Sequence, residues 1–131
     1  MADIDMIDKI IYEFPILSSR CVEDPVIEFR DMDMFIRLKG YSSDGVLSSL
    51  CLHFIRVICQ KSTAIRFACY HKATDALVEL LDSAWLNDLR QKNEQEFNYW
   101  KPRHFAVELE DIGGLWEIIA QSVEIDFQNI K

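Results

Sequence analysis

Carboxylates at regular spacing are the residues of this chain best placed to do chemistry. In the run RHFAVELEDIGGLWEIIAQSVEI, residues 103–125, Phe105, Val107 and Leu109 alternate with His104, Glu108 and Glu110. That is the period of a half-buried strand. Asp111, Ile112, Gly113 and Gly114 supply residues that tolerate a turn, so the run reads as a β-hairpin. A loop of two or four residues preserves side-chain parity and puts Glu108, Glu110 and Glu117 on one face. Like charges set side by side destabilise a sheet, so the crowding calls for a nearby Lys or Arg, for solvent, or for a basic partner. With Asp111 in the turn and the aromatic pair Tyr99 and Trp100 just ahead of the hairpin, these glutamates are the expected partner-binding residues.

Other groups offer less. Asp31 and Asp33 lie two apart and would share a strand face, a spacing that suits acid–base work or a divalent cation, although half-exposed strands ordinarily turn charge outward. His53, His71 and His104 are far apart, each in a strand-like run, and none stands in a metal-ligand spacing. Cys21, Cys51, Cys59 and Cys69 form no Cys-x-x-Cys pair and read as buried reduced thiols. There is no Gly-x-Ser-x-Gly elbow and no phosphate loop, and the chain has only four glycines. No catalytic residue, cofactor or metal is therefore expected, and the chain does not read as an enzyme.

The elements that must position these groups follow from periodicity. Ile4, Ile7, Ile10, Ile11 and Phe14 recur at helical spacing between Asp3 and Phe14, with Asp3, Asp5 and Asp8 at the positive end, which predicts an N-terminal helix stopped by Pro15. A connector holding Ser18, Ser19 and Pro25 leads to strands at Val26–Phe29 and Met34–Lys39, then a turn over Gly40–Gly45. Val46–Gln60 fits either element, and its β-branched and aromatic content leans to strand. Lys61–Thr63 is a polar break before a further strand at Ala64–Tyr70. Thr74–Gln95 reads as one long helix, or as a strand over Ala76–Leu81 followed by Asp82-Ser83 capping a helix of Ala84–Asn93. Glu94–Lys101 is a polar connector. Leu115–Phe127 fits a helix as well as a strand, and only the strand places Glu117 beside Glu108 and Glu110.

At 131 residues, half of them apolar, the chain is expected to form one domain with a real core over residues 1–131. Its 14 Lys and Arg against 22 Asp and Glu give a net charge of -8. That charge repels nucleic acid and anionic membranes and attracts a basic macromolecule. The opening MADIDMIDKII carries acidic residues where a secretory signal has basic ones, and no apolar run nears the roughly 20 residues of a membrane span, so the expected location is the cytoplasm.

The order ALVELLDSAWLNDLR, then Trp100, then RHFAVELEDIGGLWEIIAQSVEI resembles a pattern in small bacterial proteins: a strand, Asp-Ser with a following Trp, a His-started strand, a Gly turn, and a strand with Glu-x-x-Ala. Gly114 makes the turn wider than in that pattern. In length and acidity the chain also looks like the immunity proteins of bacterial toxin systems, of the contact-dependent growth inhibition type. The resemblance implies a protein that binds one cognate toxin domain, often a basic nuclease, and blocks it stoichiometrically. Immunity proteins share no single fold, so no residue roles transfer. It also tips Leu115–Phe127 to strand. The expectation is an α+β domain: an N-terminal helix, a largely antiparallel sheet of about five or six strands, and one further helix near Trp85 packed on it. Its function is expected to be toxin inhibition by contact, with an adaptor subunit as the alternative and a small hydrolase as a remote one.

Overall fold

The computed structural model describes residues 7–64, 67, 70–109 and 114–130. The chain is an α+β fold built on a mostly antiparallel sheet, with two α-helices among the described residues. In chain order the strands are β1 (Ile7–Glu13), β2 (Ile16–Cys21), β3 (Val26–Arg30), β4 (Asp33–Ser42), β5 (Leu47–Thr63) and β6 (Ala76–Leu81). The helices α1 (Ala84–Lys92) and α2 (Glu94–Trp100) follow, then β7 (Arg103–Leu109) and β8 (Gly114–Asn129). The sheet runs β1-β6-β7-β8-β5-β4-β2, with β3 also paired to β4, and these strand pairings are all antiparallel.

This order forces the sheet to curl. β1 lies at one end and β2 at the other, yet only Phe14 and Pro15 separate them, a reach of roughly 10 Å. The link is tied to both ends: Phe14 N donates to Asp75 O (2.9 Å) beside β6, and Ser43 N donates to Pro15 O (3.1 Å) beside β4. Gly40 permits the crossing, because a Cβ there would sit 2.5 Å from the carbonyl oxygen of Arg20. The concave side holds the main core, in which Ile16, Met34, Ile36, Leu52, Phe54 and Phe105 are fully buried.

β5 and β8 are long enough to serve both halves of the curled sheet, and both change face partway. Leu50, Leu52 and Phe54 point inward along β5, and after Arg56, whose φ is +56°, Val57 does so instead. On β8 the inward set passes from Ile118 and Ala120 to Val123, Ile125 and Phe127.

Several expectations are corrected. Over its described residues the N-terminal segment is strand β1, not a helix. A register irregularity between Ile10 and Tyr12 interrupts its period of two, and a broken period of two mimics helical spacing. The supposed connector contains β2, the polar break at Lys61–Thr63 belongs to β5, and Gly40–Ser42 belongs to β4. Ala64, Phe67 and Tyr70 lie outside any strand, and the rest of that expected strand falls outside the described residues. Among the described residues the sheet has eight strands rather than five or six. Of the two readings of Thr74–Gln95, the divided one is realised: Ser83 caps α1, its side chain accepting from Leu86 N at 3.1 Å. Glu94–Trp100, read as a connector, is a second helix with Asn93 as its N-cap.

Candidate functional site

The convex side of the sheet divides into two halves, and each holds a histidine among carboxylates. The first half comprises β6, β7, the start of β8 and the end of β5, and it is covered. Segment 70–74 and the start of α1 lie on it: Ala73, Val78, Leu80, Ala106 and Leu115 form a second apolar layer with Tyr70, and Ser83 and Trp85 meet His104.

Parity in the hairpin works as expected: Leu109 pairs with Gly114, and Ala106 with Glu117, so Glu108 and Glu117 share a face. That face is spent inside the protein. Glu108 is 1% exposed and accepts from Tyr70 N (2.8 Å) and Thr74 Oγ1 (2.9 Å). Glu117 accepts from His104 Nε2 at 2.9 Å and lies 3.7 Å from Lys61 Nζ. Burial pushes the Glu117 carboxyl up, but the His104 hydrogen bond and the Lys61 charge outweigh it and hold the group below the usual carboxylate range. Glu108 and Glu117 are thus folding groups rather than a surface for a partner, because their charge is taken up internally. Glu110 and Asp111 lie outside the described residues.

On its other side His104 Nδ1 meets Ser83 Oγ at 2.7 Å, and the ring packs edge-on to Trp85 with centroids 5.3 Å apart. Glu117 accepts the proton on Nε2, and Nδ1 is engaged by the Ser83 hydroxyl, so both ring nitrogens are committed. The trio of Ser, His and carboxylate has the composition of a hydrolase triad without the access. Ser83 is 2% exposed and its oxygen is engaged by the Leu86 N–H. A nucleophile with no path to a substrate is a structural group. The cation Lys61 closes the relay, lying 4.5 Å from the Trp85 ring centroid.

The second half comprises β3, β4, the start of β5 and the end of β8. No helix lies over it among the described residues. Register sets the row Glu28, Phe35, His53, Glu124 across the four strands, and beside it Val26, Arg37, Cys51, Asp126. Phe35 and His53 stack at 4.2 Å and 18°. Arg30 and Arg37 lie 5.1 and 4.8 Å from the Phe35 centroid, and both guanidinium groups bond Glu28. His53 Nε2 is 2.7 Å from Asp33 Oδ2, and His53 Nδ1 is 3.7 Å from the exposed Glu124. The backbone N–H of Arg56, with His53 second, holds the Asp33 carboxyl low. A groove of about 410 Å³ runs beside this platform, with Glu23, Asp24 and Asp126 on its walls and Cys51 at its lining.

The platform lacks an activated nucleophile. Burial pushes the Cys51 thiol up despite nearby Arg37, which leaves it protonated near neutral pH. Cys51 and Cys59 are free, both they and Cys21 are half-buried, and Cys69 lies outside the described residues. No cluster of three or more His, Cys, Asp or Glu able to hold a metal occurs among the described residues. Asp31 and Asp33 do not share a face as expected, because Asp31 is in the β3–β4 turn with a φ of +55°. His71 sits in a short 3-10 turn rather than a strand. Tyr99 is 73% exposed on α2, whereas Trp100 lines an apolar groove of about 340 Å³ with Met32, Ile58, Leu89 and Phe97.

Sequence reasoning missed both histidine clusters, since their members meet only through cross-strand register. Comparison with known protein families, with curated proteins and with solved structures gave no match.

Proposed function

We propose that this protein acts by stoichiometric contact rather than turnover, binding a basic protein partner on the bare convex half of its sheet. The observation that carries this reading is the contrast in cover: one half of a single sheet face is roofed by α1 and segment 70–74, and the other is left open. The open half presents the Phe35–His53 stack with Arg30 and Arg37 as a rigid aromatic and guanidinium centre. Interfaces are enriched in such groups at their middle. Around it Glu23, Asp24, Glu124 and Asp126 are exposed. With a chain charge of -8, they favour rapid encounter with a positively charged surface.

The particular form we favour is an immunity protein that blocks a cognate toxin domain, a basic nuclease, in the cytoplasm. Among the described residues no helix is long and apolar enough to cross a membrane, which is compatible with that location. The polypeptide encoded directly upstream is the natural test partner. Co-expressed with it, the chain should form a one-to-one complex and relieve its toxicity. Glu124→Lys with Asp126→Lys should slow association about tenfold at low salt and flatten the salt dependence. A chain that neither binds that polypeptide nor protects against it contradicts the reading.

A further inference from the structure

The edge of the sheet beside the bare half is an unfinished ladder. β3 pairs with β4 on one side, from Val26 with Arg37 to Arg30 with Asp33, and with no strand on the other among the described residues. In an antiparallel ladder alternate residues turn their N–H and C=O away from the partner strand. The two-residue turn at Asp31 and Met32 closes on the Arg30–Asp33 pair, which places Ile27 and Phe29 in the outward set. Apolar side chains are exposed along the same edge: Val26 at 49%, Phe29 at 54% and Met32 at 50%. Phe29 pairs with Met34, which is fully buried, so its ring stands where the core layer runs out at the edge. Natural sheets ordinarily protect such edges with charge or cover.

We infer that the free edge of β3 takes up an extended, Lys- or Arg-bearing segment of the partner as an added strand. This rests on the binding reading above and names its mode. Backbone pairing to Ile27 and Phe29 supplies the hydrogen bonds, and an apolar residue of the incoming strand covers Phe29. The ends of β3 set the charge of the occupant. Glu23 and Asp24 precede the strand and Asp31 follows it, and none of them is in a salt bridge among the described residues. A second copy of this chain is disfavoured as occupant, because antiparallel self-pairing brings Asp31 of one copy towards Asp24 of the other.

The test uses the full chain and an acetylated, amidated peptide of alternating Lys and Val, eight residues long. In the wild type, saturable binding should protect the amides of Ile27 and Phe29 from exchange and leave those of Glu28 and Arg30, already paired with β4, unchanged. Phe29→Pro removes one outward N–H without touching the ladder to β4 and should weaken the peptide at least about tenfold, whereas Phe29→Ala, which keeps the N–H, should weaken it less. Equal binding by Phe29→Pro, protection elsewhere, or concentration-dependent self-association through β3 overturns the inference. A partner bound equally by wild type and Phe29→Pro overturns strand addition alone; a chain that binds no basic partner overturns the wider reading.

Discussion

His104 and His53 stand on the same convex face of one sheet, each with a carboxylate on a ring nitrogen, and they do opposite things. His104 is sealed under α1, with both ring nitrogens committed and Trp85 against its edge. His53 is partly exposed, stacked on Phe35, with Asp33 on one nitrogen and the exposed Glu124 near the other. The difference lies in cover, not in residue type. Where a helix roofs the face, carboxylate and imidazole satisfy each other and specify the fold. Where no helix does so among the described residues, the same chemistry stays partly exposed.

The comparison can be broken most forcefully from the covered half. Glu108→Lys replaces a buried, hydrogen-bonded carboxylate with a cation facing the Tyr70 N–H and the Thr74 hydroxyl that donate to it, and should cost about 3–5 kcal/mol or prevent folding; denaturant unfolding measures it. His104→Ala leaves Glu117 and Ser83 unpaired under α1 and should cost about 2–4 kcal/mol, whereas His53→Ala should cost under about 1 kcal/mol. Equal losses would erase the distinction between the halves.

Acid sharpens it. The Glu117 carboxyl is lowered relative to its unfolded value, so its stabilisation is present above the unfolded pKa and is lost as pH falls through the folded one. The stability gap between wild type and Glu117→Gln should therefore be largest at neutral pH and shrink below about pH 4. A gap independent of pH would mean that the His104–Glu117 contact is not charge-assisted. The smallest effect is expected from Glu124→Lys with Asp126→Lys. These side chains are exposed, so the pair should move stability by less than about 0.5 kcal/mol while changing association.

The C-terminal hairpin was legible because its alternation is unbroken and its loop keeps parity. Glu108 and Glu117 do share a face, but nothing in the local pattern says that Tyr70, Thr74 and α1 come back to cover it. Burial of that kind is a tertiary fact. β1 was misread because its ladder irregularity makes Ile10, Ile11 and Phe14 imitate a helix. α2 was missed because EQEFNYW is polar and short, and its helix depends on the Asn93 cap and on Phe97 and Trp100 packing into the groove beside α1. The His53 platform was invisible for a third reason: Asp33, Phe35, His53 and Glu124 come from three strands, and only register assembles them.

The central claim is that the bare half, and not the hairpin glutamates, meets the partner. Amide hydrogen exchange on the complex with the upstream-encoded polypeptide tests it most directly. Slowed exchange in β3, β4 and the second half of β8, with 104–109 and 114–119 unchanged, is the predicted footprint. Protection centred on α1 and α2, or on the hairpin, would contradict it.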